Sequence, residues 1–135
     1  MVAIVLDRTN PSPVRESSNC MLIRYKKCYR KIAMGLLSFT LNKRDIKLLQ
    51  EIVDQYENNP NWHLYLWKQS NNIIGAIGFK IKSDVNVIIQ HVSVNPSYRS
   101  DEIGYKMIHE IIKQYGHKYD ILPNNRNQNF FQLMC

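Results

Sequence analysis

Between Val92 and Gly104 the chain sets a β-branched strand end, an Asn-Pro turn, one arginine, one glycine and two adjacent acids within a few residues. A strand that turns directly into a helix leaves the first helical N–H groups without internal partners. Those groups and the helix dipole make a cradle for an anion such as phosphate. Asp101 and Glu102 occupy the place where that anion would rest. A carboxylate about 6 Å from a phosphate charge costs roughly 0.7 kcal/mol in bulk-like water and about 3 kcal/mol at an effective dielectric of ~20. In affinity that is ~3- to 100-fold. The acid equally suits the positive end of a helix, so Glu102 has a purely structural reading as well.

Just upstream, His91 has a side chain whose ordinary titration range suits general-base chemistry at neutral pH, and it reads either as that base or as filling of the sheet surface. His63, Tyr65 and Trp67 either line a groove or pack a strand. Cys135 is a terminal thiol with no evident activating partner. The remaining cysteines and histidines show no CxxC or HxxxH pairing, so no metal site is expected.

The elements that must hold these residues follow from periodicity. Residues 1–20 have the composition of a polar extension, expected to be poorly ordered, with an edge strand at Val2–Leu6 as the alternative. A compact domain is expected over 21–135. Met21–Tyr25 reads as a strand and Tyr29–Phe39 as a helix carrying Ile32, Ala33, Leu36 and Leu37 on its apolar face. Asn42 is the expected cap of a second helix with Ile46, Leu49, Val53 and Tyr56 inward. Trp62–Lys68, Ile73–Ile81 and Val85–Val94 read as strands, the first two joined by a hairpin turn at Ser70-Asn71-Asn72. Ile103, Met107, Ile108, Ile111, Ile112 and Tyr115 mark an amphipathic helix closed by Gly116, before a short strand at Tyr119–Leu122 and a last helix at Gln128–Met134. The order β-α-α-β-β-β-α-β-α, an antiparallel meander followed by a strand-helix-strand unit, makes a mixed α/β sheet.

With 135 residues, 44% apolar and 21% charged, the composition is that of one globular domain. No apolar run reaches the ~20 residues that span a bilayer, so a cytoplasmic protein without a membrane partner is expected. The formal charge of +7 suits an anionic ligand. Without an arginine cluster or basic-aromatic repeat, nucleic acid is not the expected one.

The order and the stretch Val92-Ser93-Val94, Asn95-Pro96-Ser97-Tyr98-Arg99, Ser100–Gly104 resemble the GNAT superfamily of acyl-CoA-dependent N-acyltransferases over about residues 21–135. The runs MLIRYKK, KIAMGLLSF, LYLWK, GAIG, HVSVNPSYR and FF are similar, more narrowly, to the RibT proteins of bacterial riboflavin operons. The resemblance implies acetyl-CoA as acyl donor, an amine of unknown identity as acceptor, and no metal. It implies that the pyrophosphate meets backbone N–H groups of Ser100, Asp101, Glu102, Ile103, Gly104 and Tyr105, with Arg99 beside them. The edge at Val92 and Val94 would take the pantetheine amides.

Asn124 and Phe131 complete the implied cofactor site, and here the chain departs from the family. Phe131 stands where a tyrosine commonly serves as general acid, and Glu102 where glycine is usual. The chain also reads as a short form lacking the last two strands, which suggests a homodimer that completes the acceptor pocket. Two readings therefore stand: an acyltransferase, with His91 as its candidate base, or a non-catalytic CoA-binding or interaction module linked to riboflavin metabolism.

Overall fold

A computed structural model describes residues 20–41, 45–98 and 100–123, the first two of the last stretch by backbone alone. Residues 1–19 of the expected extension, Asn42, Arg99, Asn124, Phe131 and the expected last helix lie outside the described residues.

The elements are β1 (Cys20–Arg24), a 3-10 turn (Lys27–Tyr29), α1 (Arg30–Leu37), α2 (Ile46–Asn58), β2 (Trp62–Gln69), β3 (Asn72–Ile81), β4 (Asn86–Val94), α3 (Ser100–Tyr115) and β5 (Asp120–Pro123). β1 begins at Cys20, one residue inside the segment read as an extension. The strands form one sheet in the order β1-β2-β3-β4-β5. The first three pairings are antiparallel and β4 runs parallel to β5. A parallel neighbour needs a crossover, and α3 provides it. The mixed α/β sheet expected from periodicity is the observed architecture.

α1 and α2 cover one face of the sheet, where Ala33, Leu36 and Tyr56 meet Leu64, Leu66 and Ala76. α3 covers the other, where Met107, Ile108 and Ile111 meet Phe79, Ile89 and Val92. Each fully buried side chain of this size contributes about 1.5–3 kcal/mol. Ile32, Ile46 and Ile112, counted among the inward residues by spacing, are 44%, 59% and 37% exposed. Each lies at the margin or the end of its apolar stripe, which the sheet covers only along its centre.

Local chemistry ends the elements in ways that periodicity did not foresee. Asp45 caps α2, its carboxylate accepting from the Leu48 N–H at 2.9 Å. The cap is therefore three residues closer to the helix than the expected Asn42. Gly116 does end α3, donating to the Ile112 carbonyl at 2.7 Å, yet no glycine among the described residues has positive φ. Glycine is needed there because a Cβ would collide with that same carbonyl. In the β2–β3 hairpin Gln69 pairs with Asn72, leaving Ser70 and Asn71 as the turn, and Ser70 takes φ 57°.

Candidate active site

The register between β3 and β4 slips beyond Gly78. Gly78 faces His91 while Phe79 faces Ile89, so Gln90 is an extra residue in β4. A bulge bends its strand and re-aims the side chains that follow. After it, Val92 and Val94 point to the α3 face and join that core. His91 and Ser93 point to the α1–α2 face. The described part of β5 accompanies β4 only from Asn86 to Ile89. No described strand flanks Val92 and Val94 on that side.

His91 and Ser93 each meet a hydroxyl from the helical layer. Tyr56 of α2 places its Oη 2.6 Å from His91 Nδ1. The two rings meet edge to face, as do Tyr56 and Trp62. Tyr56 is buried, and burial pushes its phenol well above the ordinary 10.0. Gly78, opposite His91, makes this approach possible, because a Cβ there would overlap the Tyr56 hydroxyl and ring. Two residues along, Ser93 is only 1% exposed and its Oγ lies 2.5 Å from Thr40 Oγ1. Thr40 in turn donates to the Leu37 carbonyl at 3.3 Å, which leaves Ser93 as the donor to Thr40. The end of α1 is thereby tied to β4.

From Val94 the chain enters a turn whose Asn95 N–H donates to the Ile74 carbonyl at 2.8 Å. The Asn95 carbonyl accepts from Tyr98 N–H at 3.0 Å, and its side-chain oxygen accepts from Ser97 N–H at 2.9 Å. Asparagine first and Pro96 second are the residues this type of turn favours. α3 starts two residues after Tyr98, at Ser100. Ser100 and Asp101 form its first turn. Glu102 is exposed, Ile103 and Gly104 are buried, and Tyr105 is half-buried. Lys106, also exposed, follows Glu102 on the outer side of the helix.

The structure thus brings His91, Val92 and Val94 onto one strand that leads directly to the α3 N-terminus. His63 and Tyr65 are placed elsewhere: they stack on Phe79 on the α3 side, and Tyr65 shares a 2.7 Å hydrogen bond with Tyr115. Trp67 is buried in that same core. These three are packing residues of the sheet. Among the described residues no three His, Cys, Asp or Glu side chains gather as a metal ion would require. Nor is any described helix long and apolar enough to cross a membrane. Sequence reasoning missed Tyr56 and Thr40. The available signal was a tyrosine on an apolar helix face, since a buried phenol must find a partner for its hydroxyl.

Residues 29–134 match the profile of the acetyltransferase (GNAT) family. The chain is 45% identical over 112 residues to an uncharacterised N-acetyltransferase encoded in the lysA 3′ region of Bacillus methanolicus, across 83% of this chain and 92% of that one. Among solved structures it is similar to a GNAT family acetyltransferase from Elizabethkingia anophelis with acetyl-CoA bound, with TM-score 0.65, 21% identity and coverage of 86% and 72% of the two chains. It is also similar to the aminoglycoside N-acetyltransferase AAC(6′)-Iy in complex with CoA, with TM-score 0.67, 11% identity and coverage of 85% and 82%. At these identities the two structures speak to the fold alone.

Proposed function

Because the chain belongs to the GNAT family of acetyltransferases, we propose that it transfers an acyl group from acetyl-CoA to an amine. The observation that carries this reading is the succession of the Val92–Val94 strand end, the Asn95–Tyr98 turn and the helix α3 that begins at Ser100. Acetyl-CoA needs a strand edge for its pantetheine amides and unpaired N–H groups for its pyrophosphate, in that order along one line. In this reading Val92 and Val94 offer the edge, and the backbone from Ser100 to Tyr105 receives the pyrophosphate with Arg99 beside it. Asn124 and Phe131 border the same ligand. The neutral amine attacks the thioester carbonyl, the C–N bond forms, the C–S bond breaks and sulfur leaves as thiolate. The proton shed by the nitrogen passes to water, and the thiolate takes one from solvent. No tyrosine at position 131 is needed for that balance, because a thiolate is already a good leaving group. His91 is the strand's side chain that we assign to the reacting end.

The test is calorimetry with acetyl-CoA and CoA, together with release of free CoA thiol against a panel of amines. Binding plus amine-dependent thiol release supports transfer. Binding without release against any amine would instead favour a CoA-binding module. No heat at millimolar ligand would remove both. The narrower reading, a RibT-type protein, rests on the runs MLIRYKK, KIAMGLLSF and HVSVNPSYR. Altered flavin content in a deletion strain would support it, and unchanged content would count against it.

A further inference from the structure

The contact between Tyr56 and His91 bears on which ring nitrogen carries the imidazole proton. Two arrangements fit a 2.6 Å contact between Oη and Nδ1. The phenol can donate to a bare Nδ1, or a protonated Nδ1 can donate to the phenol oxygen. The second strands the phenol's own proton. Tyr56 is buried, and among the described residues its hydroxyl has this one hydrogen-bond partner. A buried donor without an acceptor is costly, whereas the first arrangement satisfies both groups. The first also agrees with the burial that keeps the phenol protonated.

We propose that Tyr56 is a positioning residue that holds neutral His91 in its Nε2–H tautomer, so that the imidazole meets the substrate as a hydrogen-bond donor to an oxygen and not as a proton acceptor. The functional half of this inference rests on the transferase reading and on His91 working at its reacting end. The tautomer itself rests only on the contact. It changes what His91 can do: a base working through Nε2 needs its lone pair there, and the Tyr56 hydroxyl holds the arrangement that removes it. Gly78 belongs to the same device, because only a residue without a Cβ lets the phenol reach across the strand. Trp62 also packs edge to face against the ring. The His91 role expected from the sequence, general base, is thereby replaced by that of donor.

The experiment is nitrogen-15 NMR of the full chain without ligand, at about pH 9 where imidazoles are neutral. His91 Nε2 is expected to carry a directly bonded proton and Nδ1 to be bare. Tyr56→Phe keeps the ring and its packing but removes the donor, and should shift the tautomer ratio by about 5- to 150-fold toward Nδ1–H. A wild-type His91 protonated on Nδ1 overturns the proposal, and so does a tautomer ratio unmoved in a folded Tyr56→Phe. The wild-type spectrum decides the tautomer even where the variant does not fold.

Turnover separates donor from base. Glutamine can donate from a comparable position but cannot take a proton. His91→Gln should therefore keep kcat within about tenfold, while His91→Ala loses about 100-fold or more. Equal loss in both overturns the donor role. Absence of turnover by the wild type with every amine overturns the transferase reading and the donor role built on it, and leaves the tautomer to the spectrum.

Discussion

Gly78 lies directly under the ring of Tyr56, so closely that a Cβ on Gly78 would overlap the phenol hydroxyl and the carbon that bears it. The glycine is required by a neighbour and not by its own backbone, since no glycine among the described residues has positive φ. Gly78→Ala is therefore expected to overpack this site and to cost about 1–3 kcal/mol, read from urea unfolding. It should also move the phenol away from His91. An alanine variant with wild-type stability and an unchanged His91 spectrum would show that the helix yields freely here.

The Ser93–Thr40 contact should be unequal in its two halves. Thr40→Val leaves the buried Ser93 hydroxyl without its acceptor and is expected to cost about 1–3 kcal/mol. Ser93→Ala leaves an exposed Thr40 that still donates to Leu37, so its cost should be nearer ~1 kcal/mol. A double-mutant cycle by denaturant unfolding measures the coupling, and a double variant that simply sums the two singles would show none.

Glu102 is exposed, which selects the water-like end of its repulsion with a bound pyrophosphate. Glu102→Gln should tighten CoA by no more than about threefold, with the gain shrinking as salt rises. Calorimetry at low and high salt reads this directly. A tightening near 100-fold would mean that the carboxylate turns inward onto the ligand.

Acid should weaken the fold in two stages. Burial, helped by the Arg24 charge, holds His63 below its ordinary 6.5. The folded state prefers the neutral ring, so this contribution is complete above about pH 6.5 and is lost as pH falls through the lowered value. Glu57 is held below its ordinary 4.5 by the Tyr25 hydroxyl first and then by Arg30, which donate to it at 2.6 and 2.9 Å. Its contribution is complete above the ordinary value and disappears as pH falls through the lowered one. Thermal unfolding against pH should therefore decline below about 6.5 and steepen below about 4.5. His63→Asn should flatten the upper stage and Glu57→Gln the lower, and a pH profile unchanged in both variants would refute the assignment.

The element order was legible from residues 20 to 123 because it depends on local periodicity. The aromatic and β-branched runs Trp62–Lys68, Ile73–Ile81 and Val85–Val94, and the apolar stripe from Ile103 to Ile111, are repeated signals that no single residue can spoil. The Asn95-Pro96 turn was legible too, since both residues act through their own backbone preferences. End points were legible only in part: Gly116 closes α3 as expected, though because of a clash with the Ile112 carbonyl and not a positive φ, whereas the α2 cap moved to Asp45.

By itself the sequence determined the order of strands and helices, the mixed sheet, and the strand-turn-helix segment around Val92–Gly104. Only the tertiary structure decided what surrounds His91. The bulge at Gln90, the missing side chain at Gly78 and the phenol of Tyr56 lie far apart in the chain, and their effect arises where they meet. A histidine's ordinary titration range is a property of its type, which a sequence shows. The nitrogen that holds its proton depends on the donor packed against it, which only the folded chain supplies.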